Sequence, residues 1–151
     1  MIVRKVAVLG AGVMGAQIAA QLVNVNVPVI LFDLPAKEGD PDGIVKKGIA
    51  GLARLEPAPL GTKDRAAHIG VANYATGLAR LAECDLVIEA IAERLDWKRD
   101  LYSKIVPHLA PHAVLASNTS GLSLAALSDA LPAAIRPRFC GVHFFNPPRY
   151  M

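Results

Sequence analysis

Three glycines and one aspartate near the start of the chain have the spacing of a nucleotide-binding motif. Gly10, Gly12 and Gly15 follow the apolar segment 6–9 and open a stretch with helical periodicity, and Asp33 closes the next apolar run. In a strand–turn–helix–strand unit, such glycines allow a tight turn, close approach of a pyrophosphate and close packing of the helix on the strand. The pattern predicts a dinucleotide-binding βαβ unit. A tight strand-to-helix turn in another kind of α/β protein is the alternative.

Asp33 favours NAD over NADP as the dinucleotide. A carboxylate at this point of the unit accepts hydrogen bonds from the adenosine ribose hydroxyls and repels a 2′-phosphate. The residues that follow it, Leu34 and Pro35, supply no arginine to compensate for that repulsion. The pyrophosphate is expected at the helix N-terminus, where free N–H groups and the helix dipole favour negative charge.

Two further polar residues suit the removal of a hydride from a secondary alcohol. His143 stands near the end of the otherwise apolar run 139–145, and histidine titrates in the range that a base for a hydroxyl proton requires. Ser120 ends a run of four small polar residues that begins at Ser117, more than one helix cap needs, since Ser123 can cap the next helix. In a parallel sheet both would share the carboxyl edge with the glycines. A buried, hydrogen-bonded strand histidine is the alternative interpretation of His143.

An acid and a lysine follow the most apolar strand pattern. Glu93 ends the segment 88–92 and leads into a helix that carries Lys98. We expect Glu93 to bound the cofactor pocket near the nicotinamide ribose; an N-terminal helix acid with a surface lysine is the alternative. The other histidines lie near loops or prolines and are interpreted as surface residues: His68, His108 and His112.

These residues require a sheet whose strands all end at one edge. Apolar strand patterns alternate with helix-length segments, and 53% of the residues are hydrophobic while 5% are aromatic. This predicts an α/β fold, a Rossmann-type doubly wound and mostly parallel sheet with helices on both faces. The predicted strands are 6–9, 29–32, 69–74, 86–91, 113–116 and 139–145, and the predicted helical segments are 13–25, 44–55, 62–68, 78–84, 95–109 and 122–130.

Composition limits the partners that we expect. The 151 residues correspond to one domain, and the net charge of +3 is mild, without basic runs interleaved with aromatics. Nucleic-acid binding is therefore not expected, whereas an anionic ligand is compatible with the charge. Cys84 and Cys140 lack metal-ligand spacing, so no metal is expected and both are interpreted as buried free thiols. No apolar stretch has membrane-spanning length and the N-terminus leaves no room for a signal peptide, so we expect a cytoplasmic protein.

Five motifs together resemble the NAD-binding domain of 3-hydroxyacyl-CoA dehydrogenases. They occur in order along essentially the whole chain: Gly10-Ala-Gly-Val-Met-Gly15, Asp33, Asp85-Leu-Val-Ile-Glu-Ala-Ile-Ala-Glu93, Ala116-Ser-Asn-Thr-Ser120 and Gly141-Val-His-Phe-Phe-Asn-Pro147. The resemblance implies NAD-dependent oxidation of an (S)-3-hydroxyacyl-CoA to the 3-ketoacyl-CoA in fatty-acid β-oxidation.

The same resemblance implies a role for each matching residue. His143 would be the catalytic base, and Ser120 would hold the substrate hydroxyl. Lys46 or Lys47 would contact coenzyme A. The residues implied to bind NAD are Gly10, Gly12, Val13, Met14, Gly15, Asp33, Ala92, Glu93, Lys98, Ser120 and Asn146, the last of them beside the nicotinamide.

The chain departs from that family at its end. Members of the family have a glutamate shortly after the histidine that orients it, and this position lies past Met151, as does the helical C-terminal domain that closes the cleft. We therefore expect residues 1–151 to be the NAD-binding domain of a longer, homo-oligomeric enzyme, and the isolated chain to be inactive or nearly so. A dehydrogenase of a hydroxy acid without coenzyme A and a non-catalytic NAD(H)-binding module are the alternatives.

Overall fold

The sheet brings the carboxyl ends of six parallel strands to one edge. The structure is a computed structural model, and it describes residues 2–151. The strands are β1 (Val6–Leu9), β2 (Val29–Asp33), β3 (Ile69–Asn73), β4 (Leu86–Glu89), β5 (Val114–Ser117) and β6 (Phe139–Gly141). Their order is β3-β2-β1-β4-β5-β6, and all neighbours are parallel. The order reverses beside β1, so the predicted doubly wound fold is confirmed.

Helices cover both faces of this sheet. The α-helices of residues 2–151 are α1 (Val13–Asn24), α2 (Gly43–Gly51), α3 (Leu95–Ile105) and α4 (Leu124–Asp129). The predicted helical segments 62–68 and 78–84 are 3-10 helices, and the predicted helices 44–55 and 95–109 each end in a 3-10 turn. A 3-10 helix suits these short connections, since runs of this helix are rarely longer than a few residues. No helix of residues 2–151 is long and apolar enough to cross a membrane.

The apolar strand residues are buried alternately in two cores. Val6 and Val8 of β1 pack on one face with α1 and α2, and Ala7 and Leu9 pack on the other face with α3 and α4. Successive side chains of a strand point to opposite faces, so a strand covered on both sides reads as a continuous apolar run. The apolar runs of the sequence therefore reflect a sheet that is covered on both faces.

The last strand is shorter than the predicted segment 139–145. Val142 N–H still donates to Ser117 O (3.0 Å), but Phe144 N–H donates to the Asn118 side chain (2.8 Å). This side-chain acceptor takes the place of a strand carbonyl, so the backbone leaves the sheet after Gly141. His143 consequently lies in a loop and is exposed. Its alternative interpretation as a buried strand histidine was wrong.

The two cysteines differ in burial. Cys84 is a buried free thiol, as predicted, and burial raises its pKa to about 11. Cys140 is also free but exposed, so its predicted burial was wrong. The reason is that β6 is an edge strand with β5 on one side only.

Where the strands begin, at the opposite edge of the sheet, the structure contains a polar contact that was not predicted from the positions of the histidines in the sequence. The buried carboxylate of Asp85 accepts a hydrogen bond from Arg4 N–H (2.7 Å) and lies 2.8 Å from Nε2 of the exposed His112. Both contacts lower the pKa of Asp85, and the hydrogen bond from Arg4 N–H has the larger effect. His112 is thus a surface residue, as predicted, and it lies far from the carboxyl edge where the candidate site is.

Candidate active site

The glycine turn lies between the carboxyl end of β1 and the start of α1. Gly10 has a φ of +105°, which strongly favours glycine, and its N–H donates to Phe32 O (2.8 Å). A Cβ on Gly15 would lie 1.7 Å from Gly10 O, whereas a Cβ on Gly12 would meet no atom within 4 Å. Gly10 and Gly15 are therefore required by the turn itself, and Gly12 borders open space that a ligand can fill.

A cavity of about 460 Å³ adjoins this turn. Its walls are the carboxyl ends of β1, β2, β3 and β4 and one face of α3. The lining residues are Gly10, Gly12, Asp33, Leu34, Tyr74, Ala90, Ile91, Ala92, Trp97, Asp100, Leu101 and Lys104. Four of the predicted NAD-binding residues line it, namely Gly10, Gly12, Asp33 and Ala92. A second cavity of about 440 Å³, beside Arg65 and His68, contains none of the predicted site residues. The cavity beside the glycine turn is the candidate cofactor site, because it lies where parallel sheets bind dinucleotides.

Asp33 is held in place by the backbone before any ligand arrives. Its Oδ2 accepts a hydrogen bond from Ala11 N–H (2.6 Å) and its Oδ1 accepts one from Leu34 N–H (2.7 Å). Each carboxylate oxygen can accept a further hydrogen bond, so the pair of ribose hydroxyls still finds acceptors here. The lysine of the cavity wall, Lys104, is paired with Asp100 (2.7 Å). The residues present therefore fit NAD and oppose a 2′-phosphate.

Glu93 organises the loop that carries Ser120. Its Oε1 accepts hydrogen bonds from Thr119 Oγ1 (2.5 Å), Ser120 N–H (2.9 Å) and Gly121 N–H (2.8 Å). Partial burial raises the pKa of Glu93, but these donors and the charge of Lys98 outweigh burial and lower the pKa to about 2. Glu93 is consequently ionised at neutral pH and holds Ser120 at the exposed mouth of the site.

A buried ammonium group lies behind Glu93. Lys98 has no exposed surface, and its Nζ is 2.6 Å from Glu89 Oε1 and 3.6 Å from Glu93 Oε2. In this arrangement Lys98 faces the two carboxylates and not the cavity. Its direct contact with NAD stays a prediction, while its contact with Glu93 is part of the structure.

Glu89 is a site residue that the sequence analysis missed. It is fully buried at the end of β4, and besides Lys98 it accepts hydrogen bonds from Ile91 N–H (2.8 Å), Ser117 Oγ (2.6 Å) and Tyr102 OH (3.1 Å). Burial and then the charge of Glu89 raise the pKa of Tyr102 well above its usual range, so its hydroxyl stays protonated and donates. The available signal was an acid inside an otherwise apolar strand, because a buried charge needs partners.

The loop after β6 places His143 beside the segment that leads to Ser120. On either side of His143, Val142 N–H donates to Ser117 O and Phe144 N–H donates to Asn118 Oδ1. Both acceptors lie at the end of β5. The imidazole itself is exposed and packs on Phe145, with ring centroids 4.7 Å apart. It makes no hydrogen bond to any of residues 2–151, which leaves both ring nitrogens available to a ligand.

Asn146 is tied to α1 by another residue that the sequence analysis missed. The buried Gln17 donates from Nε2 to Asn146 Oδ1 (3.1 Å). Val13, which is exposed, and Met14, which is half-buried, form the first turn of the same helix. The carboxyl edge thus brings together the glycine turn, the Ser120 loop, His143 and Asn146.

Substitution of Gly12 and substitution of Gly15 should have different effects. Gly12→Ala should leave the melting temperature nearly unchanged but weaken NADH binding about 10-fold or more, because the new methyl group fills the space where a pyrophosphate approaches. Gly15→Ala should lower the melting temperature sharply, because its Cβ collides with Gly10 O. Thermal unfolding and a fluorescence titration with NADH measure both effects. Equal losses of stability in the two variants would contradict this assignment.

The carboxylate of Glu93 should make stability depend on pH in the acidic range. Its pKa falls from 4.5 to about 2 on folding, so its contribution is complete above about pH 4.5 and is lost as pH falls toward 2. Glu93→Gln should therefore lower the free energy of unfolding more at about pH 6 than at about pH 2. Urea unfolding across this range measures the effect, with Glu38→Gln, an exposed acid in the loop after β2, as the control. A loss that is the same at every pH would show that Glu93 does not act through its charge.

Comparison with known proteins identifies relatives of the whole chain. Residues 5–151 match the family model described as 3-hydroxyacyl-CoA dehydrogenase, NAD binding domain. The chain is 46% identical over 150 residues to a Rickettsia felis protein assigned as a fatty acid oxidation complex trifunctional enzyme. It is 42% identical over 153 residues to a Deinococcus radiodurans protein assigned as a 3-hydroxyacyl-CoA dehydrogenase. These alignments cover 99% and 100% of this chain but 21% and 44% of the relatives.

A solved structure agrees with these sequence matches. The crystal structure of 3-hydroxybutyryl-CoA dehydrogenase from Escherichia coli K12 superposes with a TM-score of 0.79 at 31% identity. The match covers 100% of this chain and 31% of that chain. The doubly wound sheet, the glycine turn with Asp33 and the match over residues 5–151 thus lead to one conclusion: the chain belongs to the family of NAD-binding domains of 3-hydroxyacyl-CoA dehydrogenases.

Proposed function

We propose that this chain supplies the cofactor site and the catalytic base for NAD-dependent oxidation of an (S)-3-hydroxyacyl-CoA to the 3-ketoacyl-CoA. The observation that carries the proposal is the hydrogen bonding between the two catalytic loops. Glu93 holds Thr119 to Gly121, and the adjacent Asn118 holds the backbone beside His143. Ser120 and His143 therefore have a fixed relation to each other, at the same sheet edge as the glycine turn.

The cofactor half of the site follows from the glycine turn. NAD, when bound, supplies the hydride acceptor. The N–H groups of Gly12, Val13 and Met14 begin α1, where the positive end of the helix dipole favours a pyrophosphate. Asp33 accepts from the adenosine ribose, and Ala92 and Glu93 bound the nicotinamide half.

The catalytic half consists of Ser120 and His143. His143 takes the hydroxyl proton of the substrate while the carbon that bears the hydroxyl is oxidised, and it returns the proton in the reverse reaction. Ser120 holds the substrate oxygen within reach of the imidazole, and the Glu93 hydrogen bond to its backbone keeps it there. The assignment of a 3-hydroxyacyl-CoA as substrate comes from the relatives and not from a contact in this site. The chain spans less than half of the length of those relatives.

We also infer that the chain acts within a longer, cytoplasmic, homo-oligomeric protein. The support is the partial coverage of its relatives, the two free thiols, which suit a reducing compartment, and exposed apolar residues outside the site such as Val25 and Leu124. Sedimentation of the chain, and of the natural polypeptide in which it occurs, measures the oligomeric state.

The charge of Asp33 should select the cofactor. The chain should bind NADH about 10-fold or more tightly than NADPH, because the carboxylate opposes a 2′-phosphate. Asp33→Asn should bring the two affinities closer together, whereas Asp96→Asn, outside the cavity, should preserve the ratio. Fluorescence titrations with both nucleotides measure the ratio. Equal affinities in the unsubstituted chain would exclude this role for Asp33.

The imidazole of His143 should be essential for turnover but not for cofactor binding. In the natural polypeptide that contains this chain, His143→Gln should lower kcat roughly 10²–10⁴-fold with acetoacetyl-CoA and NADH, and should leave NADH affinity unchanged. His112→Gln, at the opposite edge of the sheet, is the matched control. Unchanged turnover in His143→Gln would refute the assignment. A panel of acyl-CoA substrates and free hydroxy acids then tests the alternative without coenzyme A.

A further inference from the structure

Gln17 is a buried polar residue on the helix that begins at the glycine turn. Only 4% of its surface is exposed, although the residues on either side of it in α1, Ala16 and Ile18, are apolar. Its Nε2 donates to two acceptors, Val13 O (3.1 Å) and Asn146 Oδ1 (3.1 Å). One amide group therefore joins the first turn of α1 to the loop that follows His143.

The chemistry of these partners determines which way both amides face. A backbone carbonyl can only accept, so the group of Gln17 that lies against Val13 O must be the NH₂ group. The second hydrogen of that NH₂ group then requires an acceptor, so Asn146 must present its oxygen to Gln17. The NH₂ group of Asn146 is left on the other side of its side chain, where it makes no hydrogen bond to any of residues 2–151.

We propose that Gln17 is a positioning residue that holds Asn146 with its NH₂ group toward the cleft, so that this part of the site donates to a carbonyl oxygen. Two carbonyl groups meet this description, the carboxamide of the nicotinamide and the carbonyl of the substrate. The inference rests on the proposed function, in which hydride passes between the substrate and the nicotinamide, and on the family resemblance, which implies that Asn146 lies beside the nicotinamide. It assigns to Gln17 no contact with either group, since Gln17 acts through Asn146.

The position of Gln17 on α1 links the pyrophosphate site to the orientation of Asn146. Gly12 and Gln17 lie on the same rigid element, at the N-cap of α1 and in its second turn. The Gln17–Asn146 hydrogen bond joins residues that are 129 positions apart in sequence. The helix that receives the pyrophosphate thereby also fixes a donor at the reacting end of the cleft.

Gln17→Glu tests the proposal by reversing one hydrogen bond with almost no change in shape. An ionised carboxylate only accepts, so it leaves Val13 O without its donor and requires Asn146 to turn its NH₂ group toward residue 17 and its oxygen toward the cleft. The donor of the cleft becomes an acceptor, and the affinity for a carbonyl ligand should fall about 10-fold or more. The matched control is Gln21→Glu, one turn further along α1, where the side-chain oxygen already accepts from Asn24 (3.3 Å).

Asn146→Asp provides an independent route to the same state. Its carboxylate keeps an acceptor for Gln17 but faces the cleft with oxygen in place of the NH₂ group. Gln17→Met removes the constraint without reversing it, so it should weaken binding by only about 3-fold. A graded effect, with Gln17→Glu and Asn146→Asp both larger than Gln17→Met, is the signature expected of a positioning role.

The measurements separate the two carbonyl ligands and separate positioning from stability. Affinities for NADH and for ADP-ribose, which lacks the nicotinamide, are measured on the chain, and the KM for acetoacetyl-CoA is measured on the natural polypeptide. Weaker NADH binding with unchanged ADP-ribose binding supports the carboxamide, and a raised KM with unchanged NADH binding supports the substrate carbonyl. The melting temperature of each variant is measured alongside.

Two results overturn the inference. The first is that Gln17→Glu and Asn146→Asp change neither the NADH affinity nor the KM, and the second is that they lower NADH and ADP-ribose affinity equally together with the melting temperature. Failure of the unsubstituted chain to bind NADH would instead overturn the proposed function, and this inference with it.

Discussion

The carboxyl edge of the sheet depends on a buried ammonium group between two carboxylates. Lys98, Glu89 and part of Glu93 are removed from water, and desolvation of each ion costs several kcal/mol unless other groups compensate. Compensation is complete at Glu89, whose two oxygens accept from Lys98 and three further donors. Loss of one member of such a group typically costs about 3–5 kcal/mol. The hydrogen bonds of Glu89 join the ends of β4 and β5 to α3, so these elements are held as one unit.

This unit extends from the interior to the loop that carries Ser120, one of the proposed catalytic residues. Glu89 binds Ser117 at the end of β5, and Glu93 binds the loop that carries Ser120. On the opposite face of the sheet, Gln17 of α1 holds the loop that follows His143. The two loops that carry the proposed catalytic groups are therefore restrained from both helical layers.

Much of the fold was predictable, and the errors have identifiable causes. The strand and helix positions follow from apolar runs that alternate with helical periodicity, and Ser123 caps α4 as predicted, with its Oγ accepting from Ala126 N–H. The length of β6 was not predictable, because its end depends on a hydrogen bond from Phe144 to the Asn118 side chain. Nor was the exposure of Cys140, which depends on β6 being the edge of the sheet.

The sequence by itself determined the glycine turn, the carboxylate of Asp33 and the order of the elements, because each depends on residues close together along the chain. The positive φ of Gly10, the close approach of Gly15 to Gly10 O and the periodicity of apolar residues are local features that can be read from the sequence. Tertiary structure alone decided the partners of Glu89, Glu93 and Gln17. These partners come from neighbouring strands and from helices on both faces, and which strands become neighbours is decided by the packing of the whole sheet.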